Sequence, residues 1–288
     1  MGLSIRYGTV LWRFVRELRR NPLLVVAVLV LILIIVVSAI ASSVAPFDLD
    51  YMSLRNRLRP PSIKNGSYLG TDALGRDVLT QLLYATRITL LISGSAILMA
   101  ALVGSIVGML SGYYGGLLDV LVMRLVDMQL SIPTFFFALA GTALLGRGMI
   151  NLVIVLALSG WARFARVARG SMLTAKEDLY VLGARSLGVS DSRIIFIHIL
   201  PNIISSLMVL FSVNLPHMIM VEASLSFVGL GMSAETPSLG KIISEGFDHL
   251  LSGHWWISIL PGIVLMILVL SINTLADTLR DVLDVQQQ

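Results

Sequence analysis

The sequence predicts an all-α integral membrane protein with six transmembrane helices and both termini in the cytoplasm. Three observations predict it. The 288 residues are 56% hydrophobic and only 13% charged, with a mean hydropathy of +0.88, whereas soluble domains carry about 25% charged residues. Long runs hold no charge at all, among them Leu23–Ala45 and Ile88–Leu118. Basic residues precede the first run: Arg6, Arg13, Arg16, Arg19 and Arg20 stand against the single acid Glu17, which marks that end as cytoplasmic. A chain this short of charge cannot cover a globular surface with polar groups, and the bilayer is its natural solvent. With no cysteine, disulfides, thiolate catalysis and Cys-ligated metals are excluded. The net charge of +4 follows from membrane orientation and is no signal for nucleic acid.

Leu23–Ala45 is long enough to cross a hydrocarbon core, which takes about 20 apolar residues. It exceeds the roughly 7–15 residues of a signal-peptide core, so the reading is an uncleaved anchor. Pro46–Thr86 is polar and lies outside the cytoplasm on this topology. Within it, Leu69-Gly-Thr-Asp-Ala-Leu-Gly-Arg-Asp77 reads as a turn and a capped helix start, with Thr71 or Asp72 as the N-cap. Val78–Tyr84 then forms a short amphipathic helix at the interface. In the second span, Gly104, Gly108 and Gly112 repeat every four residues and let another helix approach closely. Gly112-Tyr-Tyr-Gly-Gly116 breaks that helix. A third span runs from about Asp119 to Leu145, interrupted at Pro133, and a fourth from Met149 to Ala162. Arg163, Arg166 and Arg169 follow at the spacing of a voltage sensor, but positive-inside anchoring explains them better. Pro201–Met220 is the fifth span. Glu222–Gly253 is a second outer region, Trp255 and Trp256 mark an interface, and Ile257–Ala276 is the sixth span. The chain divides into residues 1–86 (N-terminal segment, first span and outer loop) and residues 87–288 (a five-helix core).

Chemistry of its own is missing. There is no G-x-x-x-x-G-K-[ST] phosphate loop and no H-E-x-x-H, and none of the Ser-Gly pairs has the G-x-S-G form of an intramembrane protease. No catalytic, cofactor-binding or metal-binding residue is assigned. Ionisable and polar groups inside spans are the remaining functional candidates. Arg124 and Asp127, three apart on one helix face, read as a structural ion pair or part of a transport path. Glu222 falls near the outer mouth, where desolvation is slight. Asn214 lies near the middle of its span beside Pro216, either lining a path or bonding a neighbouring helix.

Asp178–Asn202 is the longest water-compatible break in the second half of the chain. Asp178–Leu187 forms a short helix, Gly188 supplies the reversal, which needs a residue without a Cβ, and Asp191 caps a second helix towards Pro201. This segment resembles the EAA loop of permease subunits of ABC importers, with Leu182, Gly183, Ala184, Gly188, His198, Leu200 and Pro201 at the motif positions. Leucine stands for the motif's glutamate at 182, glycine for alanine at 183 and histidine for isoleucine at 198. Leu69–Asp77, Gly112–Gly116, Leu200-Pro-Asn202, Glu222-Ala-x-Leu-Ser-Phe227, Gly229-Leu-Gly231 and Leu279-Arg-Asp281 are similar to the C-type permease of dipeptide, oligopeptide and nickel importers. The resemblance implies a transport subunit of the cytoplasmic membrane whose loop, 178–202, docks on an ATPase. It further implies a second homologous permease, two ATP-binding-cassette subunits that hold ATP and Mg, and an extracytoplasmic solute-binding protein. Peptide is the implied substrate, with nickel chelates as the alternative. A self-sufficient secondary transporter using Arg124, Asp127 and Glu222 is the rival of another class, and it wants an internal repeat that the sequence does not show. A membrane scaffold is the weaker rival.

Overall fold

The computed structural model describes residues 16–49, 51–63, 66–233 and 235–284. Arg6 and Arg13 of the basic N-terminal run lie outside them. The described residues form helices and turns with two isolated β-bridges and no strand. Five helices are long and apolar enough to cross a membrane, and a bent pair makes a sixth span when counted as one.

The first helix, α1 (Pro22–Ala39), starts where Asn21 Oδ1 accepts the amides of Leu23 and Leu24 at 3.1 and 3.4 Å, with Pro22 at the first position. Proline suits that position because its missing N–H would have no helical partner there. The next helix, α2 (Val78–Tyr114), is one uninterrupted rod of 37 residues, about 55 Å at 1.5 Å per residue. The separate interfacial helix expected at Val78–Tyr84 is therefore its first two turns, and the division at 86/87 falls inside it. The expected cap is also displaced. Asp77, not Thr71 or Asp72, caps α2, its Oδ2 accepting from the Thr80 amide at 2.8 Å and the Thr80 hydroxyl at 2.9 Å. Burial raises the Asp77 carboxyl above its ordinary pKa, and these bonds from Thr80 offset part of the rise.

Two shorter helices follow, α3 (Gly116–Leu130) and α4 (Thr134–Leu145), meeting at 94°. Pro133 supplies the break, since it lacks an N–H and pushes Ile132 away from helical geometry. The fourth span is longer than expected: α5 runs Met149–Ala175, carrying Arg163, Arg166 and Arg169 inside the helix instead of past its end. It is followed by α6 (Leu179–Ser186), α7 (Leu200–Phe227), α8 (Leu239–Phe247) and α9 (Trp256–Asp284). A π-helical turn, Ile194–Ile199, leads directly into α7. Pro201 explains the wide turn, because its ring cannot accommodate the carbonyl four residues earlier.

The core is the parallel pair α2 and α5, whose contacts rise together along both helices. A Cβ on Gly104 would overlap the carbonyl of Trp161, one on Gly108 the carbonyl of Ala165, and one on Gly112 would lie 2.9 Å from the carbonyl of Arg169. The glycine row thus brings backbone against backbone, as its spacing predicts. Around it Ile92, Ile97, Leu156 and Phe164 pack with Met218 and Leu225 of α7.

At the end of the bundle opposite α6, the Leu69–Asp77 segment ties the polar N-terminal loop to α2, α8 and α9. The hydroxyl of Thr71 accepts from the Arg59 amide at 2.9 Å, and its carbonyl accepts the indole N–H of Trp256 at 3.1 Å. Trp256 is accordingly buried inside this joint, while Trp255 stays exposed. The Asp72 carboxylate collects the amides of Leu74 and Arg76, the guanidinium of Arg76 at 2.6 Å and the amide of Gln81 at 2.8 Å. Arg76 reaches on to Glu245 of α8 at 3.0 Å. Asp72→Ala leaves the half-buried Arg76 with Glu245 alone and strands the buried amide of Gln81, so it is expected to cost about 2 kcal/mol. Thermal unfolding of the purified protein checks this, with the exposed Asp48→Ala expected to stay within about 0.5 kcal/mol of the parent.

Candidate functional site

The loop 178–202 folds as helix, reversal, helix. Asp178 holds the N-cap position of α6 without a side-chain bond to it. Helical spacing splits α6 into two faces. Val181 is fully buried and Ala184 packs beside it on Ile194, Ile195 and Ile199. The other face carries Leu179 and Leu182, with Leu187 just beyond the helix; Leu179 and Leu187 are 86% exposed. Three leucines held in the open by a packed helix are an apolar face that the described residues leave uncovered. Gly183 sits on that face with nothing near its Cα hydrogen, so no contact within the chain explains a glycine there. Gly188 makes the reversal at φ +76 with open space around it, so the backbone angle alone demands glycine. Leu200 and Pro201 form the first turn of α7, where Leu200 packs on the same core. His198 belongs to the π turn. Ser190, not Asp191, occupies the N-cap position of the following turn.

Asp191 serves another purpose, which sequence reasoning missed. The hydroxyl of Tyr113, at the end of α2, donates to Asp191 Oδ1 at 2.5 Å, and the guanidinium of Arg185 lies 5.4 Å from the Tyr113 ring centroid. Asn202 Nδ2 donates to the Tyr180 hydroxyl at 2.9 Å. The loop is therefore fastened to α2 and to α7 at once. The only trace in the sequence was the pair of tyrosines in Gly112–Gly116, which read as a helix break.

The three arginines of α5 have unequal partners. Arg169 makes a two-pronged pair with Asp119 of α3, Nε to Oδ1 and Nη2 to Oδ2, each 2.6 Å. Arg166 pairs with Asp127. The Arg124–Asp127 pair expected within α3 is not formed: Asp127 is taken by Arg166, and Arg124 is exposed with no ion pair among the described residues. Arg163 has no carboxylate either. Its Nη1 donates to Asn214 Oδ1 at 2.8 Å, its Nη2 to Thr134 Oγ1 at 2.8 Å, and Nη2 lies 3.4 Å from His217 Nε2. A guanidinium has only donors, so any hydrogen bond across this contact is accepted by His217 Nε2. Asn214 also donates to the Leu210 carbonyl at 2.7 Å, filling the helix turn next to Pro216. Arg163 lies halfway along α5, with the glycine row of α2 on the helix's other side. It thus lies within the helix and not past its end. Charge alone could not tell Arg163 from its neighbours; their acids come from α3, more than 30 positions away.

Glu222 is not at a wet mouth. It is fully buried, Oε1 accepting from Ser226 at 2.8 Å and Oε2 without a partner among the described residues. Its surroundings explain the flanking motifs: a Cβ on Gly231 would overlap Ser226, and one on Gly240 the carbonyl of Ala223. The Glu222–Gly231 motifs therefore knit α7 to the segment that follows it. Among the described residues no three His, Asp or Glu side chains are placed to hold a metal.

Comparison with known proteins agrees with this geometry. Residues 104–286 match the family model described as binding-protein-dependent transport system inner membrane component, and residues 9–61 match the N-terminal transmembrane domain of oligopeptide transport permease C. The chain is 37% identical over 276 residues to a glutathione transport system permease protein of Pectobacterium atrosepticum, covering 95% of this chain and 90% of the relative. It is 33% identical to a dipeptide transport system permease protein of Bacillus subtilis over 281 residues, 98% of this chain and 86% of the relative. A dipeptide permease of Haemophilus influenzae is 32% identical, with coverage of 98% and 97%. In fold, a chain of an inward-facing MetNI methionine ABC transporter superposes with a TM-score of 0.56 at 20% identity, over 70% of this chain and 96% of that one. Family matches across nearly the whole length, on a helical chain with five or six apolar spans, place this chain in the family of binding-protein-dependent ABC transport permeases, as a non-enzymatic, multi-pass transport subunit of the C type.

Proposed function

We propose that the chain forms half of the pathway by which an ATP-driven importer carries short peptides across the cytoplasmic membrane. A second homologous permease supplies the other half, two ATP-binding-cassette subunits hold ATP and Mg, and an extracytoplasmic binding protein delivers the substrate. The observation that carries this is the leucine face of α6: its back is packed on α2, α5 and α7, and its front is bare. Such a face is a socket for another subunit, and the fastening through Tyr113 and Asn202 gives the bound subunit a grip on the spans. Leu182 and Gly183 contact the ATPase on this reading. Ala184, Gly188, Leu200 and Pro201 set the geometry of the loop, which remains cytoplasmic. The substrate class rests on the dipeptide and glutathione permeases among the relatives. Of the path candidates, Asn214 keeps that role together with Arg163 and His217. Asp127 and Glu222 act in packing, and Arg124 is an exposed residue of α3.

The test is reconstitution of the chain with its partner subunits in proteoliposomes. ATP-dependent uptake of a labelled dipeptide is expected, and uptake of a nickel chelate in its place would overturn the substrate assignment. Leu179→Asp combined with Leu187→Asp is expected to reduce ATPase co-purification at least about tenfold, the equivalent of 1.4 kcal/mol, while membrane insertion is unchanged. Normal co-purification in that variant would show that the ATPase docks elsewhere.

A further inference from the structure

Arg163 is the remaining unexplained charge. The other two arginines of α5 hold carboxylates from α3, whereas Arg163, halfway along its helix, is surrounded by the neutral groups of Asn214, Thr134 and His217. Those contacts use Nη1 and Nη2 once or twice each and leave Nε and one Nη1 proton undirected, from the five donors a guanidinium carries. They orient the charge without neutralising it. A charge within a membrane span is costly unless paired or wet, and among the described residues no carboxylate pairs with this one, so the site has room for an anion from outside.

The surroundings suit an anion. Thr134 is the first residue of α4, and Pro133 before it provides no side-chain cap, so the free amides of that helix end lie next to the guanidinium. Helix ends of broken spans present a positive dipole to bound carboxylates in other transporters. Arg163, Asn214 and Thr134 are half-buried and His217 is exposed, so the cluster opens on a face that this chain leaves uncovered.

We propose that Arg163, oriented by Asn214 and Thr134, receives the C-terminal carboxylate of the peptide during its passage. The proposal rests on the peptide-importer reading above, and every unmodified peptide carries this group whatever its side chains. A carboxylate meets the planar guanidinium through two parallel hydrogen bonds, which a neutral terminal amide cannot reproduce. Such a site thus reads the one feature common to all its cargo and ignores the sequence.

The experiment uses the complete importer in proteoliposomes and compares labelled dialanine with its C-terminal amide. Selection by the binding protein is common to parent and variant, so the change in the acid-to-amide ratio isolates this chain's share. Arg163→Gln is expected to lower that ratio about tenfold, in line with loss of one charge-assisted pair. Arg163→Lys, which keeps the charge but loses the two-pronged geometry, is expected to fall between the parent and Arg163→Gln. Asn214→Ala, which loosens the guanidinium without removing it, is expected to lower the ratio about threefold on the same scale, and it carries the test should Arg163→Gln fail to accumulate. An unchanged ratio in either variant overturns the proposal, as does an equal fall for both substrates, which is the mark of a structural role. Loss of the second permease on purification of Arg163→Gln overturns it as well, since the anion would then be that subunit's carboxylate. Uptake of neither substrate by the parent importer removes the peptide reading and this site together, whereas uptake of both with an unaltered ratio removes the site alone.

Discussion

Gly108→Leu is expected to leave almost no folded protein in the membrane. The residue sits where α2 meets the backbone of α5, and even a single methyl there would overlap the carbonyl of Ala165. Overpacking an ordinary core costs about 1–3 kcal/mol because side chains can turn aside. Here the obstacle is backbone on both sides, so the two helices must separate along the row that also includes Gly104 and Gly112. The expected cost is above about 4 kcal/mol, which belongs to the exceptional class for single substitutions. Gly94→Leu is the control: it lies on the same helix, and nothing stands within 4 Å of its Cβ position. Membrane accumulation, followed by thermal unfolding of whatever is extracted, separates the two. Comparable accumulation of both variants would show that α2 and α5 are not held by this glycine row.

Gly188→Val is expected to abolish most uptake while leaving insertion intact. The backbone there has φ +76, and space around the residue is open. A valine would meet no neighbour, so the whole effect comes from a conformation that β-branched residues avoid. The left-handed penalty is about 1–2 kcal/mol, so the competent reversal is populated about tenfold less or worse. Because α6 turns back onto the π segment through this residue, its loss lifts Val181 and Ala184 off Ile194, Ile195 and Ile199 and displaces the leucine face with them. Gly188→Asn, which tolerates the left-handed region, is expected to keep most of the uptake. ATPase co-purification and dipeptide uptake, measured together, decide it. Parent-level values for the valine variant would remove the coupling role of the reversal.

The spans were legible because a bilayer imposes a simple rule: about 20 apolar residues per crossing, and this chain obeys it. The Gly104–Gly112 row and the reversal at Gly188 were legible for a similar reason, since a missing Cβ has few uses. Boundaries were harder. Val78–Tyr84 carries polar side chains such as Gln81 and reads as interfacial, yet it continues α2 because Asp77 and the Thr71 joint bury its first turns. Arg163 was misplaced because three arginines at regular spacing look like an end, and the sequence does not show that α3 folds back to neutralise only two of them.

Taken alone, the amino-acid order determined the class, the glycine contact surface and the position of the exposed loop. All of these depend on composition and spacing within one segment. Tertiary structure decided which charges are paired. Asp127 goes to Arg166 instead of Arg124, Glu222 is sealed by Ser226, and Tyr113 anchors the loop through Asp191. Arg163 is left among neutral partners within its helix. Pairing across helices depends on how they rotate and cross, and those angles are set by the packing of every neighbour at once, which no single stretch of sequence encodes.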